Sequence, residues 1–159
     1  MSNPLDSRYR AMKKLPILLC IFLLSACAPS EVPSDKLVER NGITYEINSQ
    51  RPFTGVLTEY HRNGQLSYSV TYKDGEAHGH LERYYKNGQL WLKKSYKDGE
   101  GHGLFERYYE NGQLELKSNH KAGAEHGLSE TYKENGQEKF SPTCYQNGEE
   151  ADISKCKSL

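Results

Sequence analysis

The chain repeats its own sequence with a fixed period of 24 residues. The segment that begins at Gly79 reads GHLERYYKNGQL, and the segment that begins at Gly103 reads GLFERYYENGQL. An Asn-Gly pair returns with the same step, at Asn63-Gly64, Asn87-Gly88, Asn111-Gly112 and Asn135-Gly136. A period of this length indicates an array of one supersecondary unit packed on its neighbours. Such an array presents a long surface, which favours a binding or scaffolding role over a catalytic pocket.

Each unit has the pattern of a β-hairpin. Two short runs, residues 81–85 and 90–96 in one copy, flank the Asn-Gly pair. Asn-Gly suits the two positive-φ positions of a type I′ turn, so we expect a two-residue turn at each copy. A second turn is expected at Asp74-Gly75 and Asp98-Gly99, where one unit meets the next. No stretch has sustained helical spacing of apolar residues, so the mature chain is expected to be all-β.

The series Gly-x-x-x-x-Tyr-x-x-Asn-Gly-Gln-Leu, with the lead-in RPFTG at residues 51–55, resembles the MORN-repeat family in its bacterial variant. The resemblance covers roughly residues 36–150, with repeats at 55–78, 79–102, 103–126 and 127–150 and an extra hairpin at 37–46. It implies an elongated, single-layer antiparallel sheet of repeated hairpins. It also implies partner binding, since many bacterial members resemble antitoxin or immunity proteins. Glu138 and Pro142 depart from the pattern, which predicts that the fourth repeat is a terminal cap.

Residues 1–26 have the pattern of a lipoprotein signal peptide. A basic start at residues 12–14 precedes an apolar run at 15–24, which is too short for a span of about 20 residues. Leu24-Ser25-Ala26-Cys27 resembles a lipobox, which implies a lipid on Cys27. An ordinary cleaved signal with an incidental cysteine is the alternative. Met12 is the expected true start.

Ala28 after the lipobox resembles the pattern for delivery to the outer membrane, facing the periplasm. The protein is therefore expected in the cell envelope, anchored to the membrane through Cys27. Residues 27–35 contain Pro and Ser and predict a flexible tether behind that cysteine. Residues 151–159 form a C-terminal tail.

Two cysteines, Cys144 and Cys156, remain in the mature chain outside the lipobox. An even pair in an oxidising compartment favours a disulfide over two free thiols. The bridge is expected to hold the tail against the last hairpin and to protect an open sheet edge.

Charge and residue types exclude several functions. Removing residues 1–26 leaves 17 basic and 20 acidic residues, a net charge of −3, so nucleic-acid binding is not expected. His78, His102 and His126 recur once per repeat, which places them about 9.5 Å apart and too far apart to share one zinc ion. There is no phosphate-binding loop or nucleophile elbow. We therefore expect that the protein is not an enzyme and that it binds no cofactor.

A two-residue turn at Asn87-Gly88 would pair Tyr84 with Trp91, and Tyr108 would follow one repeat later on the same polar face. The positions equivalent to Trp91 hold Ser67, Glu115 and Lys139, so the repeat does not require an aromatic residue there. Trp91 is therefore either a hairpin-stiffening partner of Tyr84 or a binding anchor. The second interpretation predicts a partner-binding patch of Tyr84, Trp91 and Tyr108.

Three functions remain open at this stage. The first is a lipid-anchored protein-binding module, such as an immunity protein against a toxin that acts in the envelope. The second is a structural envelope scaffold. The third is a surface that binds lipid or glycan through its aromatic residues.

Overall fold

The structure is a computed structural model, and it describes residues 30–156. Two short 3₁₀ helices, Ser34–Lys36 and Ile153–Cys156, are the only helical segments within that range. The strands in chain order are β1 (Glu31–Pro33), β2 (Leu37–Arg40), β3 (Ile43–Glu46), β4 (Gly55–Tyr60), β5 (Leu66–Lys73), β6 (Glu76–Tyr84), β7 (Leu90–Lys97), β8 (Glu100–Tyr108), β9 (Leu114–Lys121), β10 (Ala124–Glu125), β11 (Gly127–Thr131), β12 (Thr143–Gln146) and β13 (Glu149–Ala151).

Strand β1 and the strands from β4 onward form one long sheet, in which the strands from β4 onward pair antiparallel with their chain neighbours. The order is β1-β4-β5-β6-β7-β8-β9-β11-β12-β13, with the two-residue β10 also pairing with β9. Only β1 pairs parallel, alongside β4. The sheet follows from the repeat, because each hairpin leaves an edge that the next hairpin covers. The predicted all-β fold of successive hairpins in a single sheet is confirmed.

The two kinds of Gly-containing turn differ from the sequence prediction. The Asp-Gly turns have positive φ at both positions, 51° at Asp98 and 79° at Gly99, as a type I′ turn requires. Both residues likewise have positive φ at Asn41-Gly42 and at Asn147-Gly148. At the four Asn-Gly turns that recur every 24 residues, by contrast, only the glycine has positive φ, 85° at Gly88. There the Gly88 N–H donates to the Tyr85 carbonyl and the Tyr85 N–H donates to the Gln89 carbonyl. The predicted two-residue type I′ turn at Asn-Gly is therefore wrong: the loop has three residues and ends in a left-handed glycine.

Hydrogen bonds between successive turns lock the repeats in register. The side-chain amide of Asn87 donates to the Glu110 carbonyl at 3.1 Å, and Asn63 and Asn111 make the same contact with the next repeat. The hydroxyl of Tyr85 donates to the Tyr108 carbonyl at 2.8 Å. These contacts all span 23 residues, so the turn residues contribute to the packing between repeats as well as to their own hairpin.

The N-terminal end of the sheet carries most of the buried side chains. The hairpin β2–β3 lies outside the main sheet and joins it through the Thr44 N–H, which donates to the Gly75 carbonyl at 2.9 Å. Phe53, Leu57 and Val70 are buried, with Val70 only 2% exposed. Residues 31–35, predicted as part of the tether, instead lie in β1 and in the 3₁₀ helix Ser34–Lys36. The reason is that β1 covers the otherwise open edge of β4.

The C-terminal end is closed by the predicted disulfide. Cys144 on β12 and Cys156 in the last 3₁₀ helix are bonded, and both are buried. The bridge holds the segment after β13 against β12. Pro142 precedes β12, which begins only at Thr143, so the second strand of the fourth hairpin is short, as its proline predicts.

Candidate functional site

One face of the sheet carries a row of alternating charges. Residues directly opposite each other on successive strands are, in order, Glu82, Lys93, Glu106, Lys117 and Glu130. The Lys93 ammonium lies 3.1 Å from the Glu82 carboxylate. Opposite charges at facing positions stabilise a sheet, whereas like charges there would destabilise it. We call this row the charge ladder. It depends on strand register, so the amino-acid sequence alone does not reveal it.

Tyr84 and Tyr108 lie on the same face as the charge ladder, each two residues after a ladder glutamate in its strand. The Tyr84 hydroxyl donates a hydrogen bond of 2.7 Å to the Glu82 carboxylate. Burial, together with this bond and the negative charge of Glu82, raises the pKa of Tyr84 to about 12. Burial and Glu106 likewise raise the pKa of Tyr108. Two of the three predicted partner-binding residues, Tyr84 and Tyr108, are therefore tied to the ladder and half-buried.

The carboxylate of Glu82 is held in its charged form by its neighbours. Burial alone would raise its pKa, but the hydrogen bonds from Tyr84 and Lys93 outweigh burial and lower it. The negative charge of Glu82 is therefore compensated by Lys93 within the ladder. The ladder as a whole has three carboxylates and two ammonium groups, an excess of one negative charge.

Trp91 is not paired with Tyr84, which corrects the sequence prediction. Tyr84 faces Leu90 and Arg83 faces Leu92, so Trp91 falls at a bulge between them. Its ring lies 6.1 Å from the Tyr85 ring and 5.8 Å from the Arg83 guanidinium. Since Arg83 and Tyr85 alternate with Tyr84 along the chain, Trp91 lies on the face opposite the charge ladder. The longer turn is the cause, because it shifts the register of β7.

Trp91 belongs to a cluster that spans two repeats. The Arg83 guanidinium lies between two rings, 5.3 Å from Tyr68 and 5.8 Å from Trp91. These three residues border a shallow depression of about 470 Å³, which Glu59, His61, Ser67 and Tyr84 also line. We call Tyr68, Arg83 and Trp91 the aromatic–arginine cluster. Among the described residues, no carboxylate lies within 4.0 Å of Arg83.

The next repeat has an arginine equivalent to Arg83 but a glutamate in place of Trp91. Arg107 is equivalent to Arg83, and Glu115 is equivalent to Trp91. Arg107 donates two hydrogen bonds to the Glu115 carboxylate, at 2.6 and 3.0 Å. A bidentate pair of this kind neutralises the guanidinium. Comparison of the two repeats in the sequence, where the arginine is the same but Glu115 corresponds to Trp91, could have identified Arg83 as an arginine without its usual carboxylate partner.

The repeated histidines contribute to the turns. The Nδ1 atom of His78 lies 3.1 Å from a carboxylate oxygen of Asp98. The Asn147 N–H approaches Nδ1 of His126 at 3.4 Å, and Thr54, one repeat before His78, accepts from the Asp74 N–H. Residues 30–156 contain no group of three His, Cys, Asp or Glu side chains arranged to hold a metal ion.

Cys27 and the predicted signal peptide, residues 1–26, lie outside the described residues. Within residues 30–156, no helix is long and apolar enough to cross a membrane.

Comparison with known proteins adds one finding. Residues 53–74, 77–98 and 101–122 each match the family model described as MORN repeat variant. The fourth repeat, which departs from the pattern at Glu138 and Pro142, is not among the matched segments. No significant match was found to a curated protein or to a solved structure. Three consecutive segments of the chain are thus similar to the MORN repeat variant, and such repeats are consistent with a module that binds a membrane or a protein.

Proposed function

We propose that this protein is a lipid-anchored module of the cell envelope that binds a protein partner through the surface of its central repeats. The observation that supports the proposal is the break in the repeat at Trp91. The fold accepts Ser67 and Glu115 at the same place, so the tryptophan is not needed for the hairpin. Large aromatic side chains at a solvent-accessible surface are typical of interface anchors.

The finer part of the proposal is that the partner is a toxin, which the protein neutralises by binding in the envelope. The resemblance to immunity-like MORN proteins supports it, and so does a sheet that offers open faces rather than an enclosed cavity. Lipidation at Cys27, if it follows the lipobox, would hold the module where an exported toxin acts. Tyr84, which lines the same depression as Trp91, is proposed to contribute to the same binding surface, and Tyr108 is proposed to contribute from the face of the charge ladder.

The test is affinity purification of the full-length protein from detergent-solubilised membranes, followed by mass spectrometry. We expect one protein to co-purify with the wild type and to be lost or weakened with Trp91→Ala, by about 2 kcal/mol or more as at interface hot spots. Glu115→Ala is the matched control, because it alters the equivalent position in the next repeat. Equal recovery with Trp91→Ala, or no protein partner at all, would contradict the proposal.

The membrane anchor has a separate test. Cys27→Ala should release the protein from the membrane fraction and abolish acyl labelling. Retention in the membrane fraction with unchanged labelling would contradict the lipoprotein assignment without bearing on the binding surface.

A further inference from the structure

Arg83 has an unusual environment for a surface arginine. Its guanidinium is flanked by two aromatic rings, Tyr68 and Trp91, at 5.3 and 5.8 Å from the ring centroids. Rings that flank a guanidinium favour its charge by cation–π attraction and restrict its movement. The planar fork of five N–H donors remains able to bind an acceptor. Arg83 is exposed, so an acceptor can reach it from solvent.

The next repeat identifies the chemistry that such an arginine binds. At Arg107 the same fork is occupied by a carboxylate of the chain itself, Glu115, in a two-point contact. Trp91 replaces that carboxylate in the Arg83 repeat, and Ser67 occupies the same place one repeat earlier. The backbone and the arginine are retained while the internal acceptor is removed. Arg83 therefore occupies the position that Arg107 has in an arginine–carboxylate pair, but Trp91 stands in place of the carboxylate.

We propose that the aromatic–arginine cluster is a recognition site for a single carboxylate side chain, an Asp or Glu presented by the protein partner. In the bound state the carboxylate accepts two hydrogen bonds from Arg83, in the geometry that Glu115 adopts on Arg107. The rings of Tyr68 and Trp91 contact the apolar part of the same partner segment. This inference rests on the proposed function and specifies the chemistry of its partner.

The surroundings favour one carboxylate over a polyanionic surface. Glu59 borders the same depression and Glu110 lies in the adjoining one, which also contains Trp91. These negative charges oppose the approach of a phosphate-rich membrane surface, which would need several cations close together. A single acidic side chain needs only Arg83, and a planar carboxylate matches the guanidinium fork.

The site is tested with a defined probe on the full-length protein in detergent at low salt. The probe is the peptide acetyl-Gly-Ser-Gly-Glu-Gly-Ser-Gly-amide, and its neutral counterpart has Gln in place of Glu. The readout is the NMR signals of the Arg83 Nε–H and the Trp91 indole N–H, the latter from the chain's single tryptophan. We expect saturable shifts with the Glu peptide and none with the Gln peptide. Equal shifts with both peptides would overturn the proposal.

Variants taken from the repeat itself provide the controls. Arg83→Gln should weaken Glu-peptide binding roughly ten- to a hundredfold, as the loss of charged hydrogen bonds does, whereas Arg107→Gln should leave it unchanged. Trp91→Glu should also weaken it at least tenfold, because it supplies an internal carboxylate in the manner of Glu115. The reciprocal Glu115→Trp should create a second responsive arginine at Arg107. Binding that survives Arg83→Gln would refute the site.

The outcomes separate the site from the proposed function. A response of Arg83 to inorganic phosphate but not to the Glu peptide would make this a phosphate site and overturn the inference. Partner capture by the Arg83→Gln protein would refute the site and leave the protein-binding function standing. A normal peptide response in a protein that captures no partner from membranes would support the site and contradict the proposed function.

Discussion

The Asn-Gly turn at Asn87 allows a sharp test of how the repeats are held together. The Asn87 side chain accepts a hydrogen bond from the Gln89 N–H at 2.9 Å and donates one to the Glu110 carbonyl at 3.1 Å. Asn87→Gly removes both, at about 0.5–1.5 kcal/mol each. Glycine also adds about 0.5–1 kcal/mol of backbone entropy cost. Because the turn is exposed, we take values near the low end and expect a loss of about 2 kcal/mol of unfolding free energy.

The matched control is the same substitution in the other turn, Asp98→Gly. Asp98 has a φ of 51°, a conformation that costs a non-glycine residue on the order of 1 kcal/mol and costs glycine little. Against that gain stand the loss of the exposed His78 contact, worth about 0–1 kcal/mol, and the glycine entropy. We expect these terms to cancel and the stability to change little.

The assay is urea unfolding of both full-length variants in the same detergent, followed by far-UV circular dichroism. The midpoint should fall for Asn87→Gly at an unchanged slope and stay close to the wild type for Asp98→Gly. If Asn87→Gly is as stable as the wild type or more so, the turn behaves as a two-residue type I′ turn. The inter-repeat role of the asparagine would then be refuted.

Three further predictions concern other parts of the sheet. Reduction of the disulfide should remove about 3 kcal/mol in the loop-entropy model, and faster hydrogen exchange should appear in residues 143–156 but not in the central repeats. Lys93→Glu should place three like charges in a row with Glu82 and Glu106 and cost roughly 1–2 kcal/mol, more at low salt, with Lys93→Gln costing less in the same urea titration. The raised pKa of Tyr84, about 12, contributes stability that is complete below its ordinary pKa near 10 and is lost as the pH rises through 12. Tyr84→Phe should flatten that alkaline decline in unfolding free energy, and an unchanged decline would contradict the Tyr84–Glu82 bond.

The architecture was accessible from the sequence because it depends on local patterns. A 24-residue period, a turn dipeptide in every copy and the absence of helical spacing together require repeated hairpins. The disulfide was accessible for a similar reason, since Cys144 and Cys156 were the pair that remained outside the predicted signal peptide and lipobox. The departures at Glu138 and Pro142 also marked the one repeat whose second strand is short.

The composition around residue 31 misled the prediction of the N-terminal segment. Pro and Ser usually indicate a solvated linker, yet Glu31–Pro33 forms a parallel strand on β4. The stabilising factor is the open edge of β4, whose backbone groups need partners. An edge of that kind exists only after the rest of the sheet has formed, so composition alone does not reveal it.

The sequence by itself determined the repeat, its hairpins and the residue that breaks the pattern, Trp91. Only the tertiary structure decided which face Trp91 occupies. The Asn-Gly pair is compatible with a two- or a three-residue turn, and these place the following strand in different registers. Asn87 supports the longer turn by accepting a hydrogen bond from the Gln89 N–H in its own hairpin, and it donates another to the Glu110 carbonyl in the next repeat. The strand pairing that results, with Tyr84 opposite Leu90 and Arg83 opposite Leu92, brings Trp91 to Arg83 rather than to Tyr84.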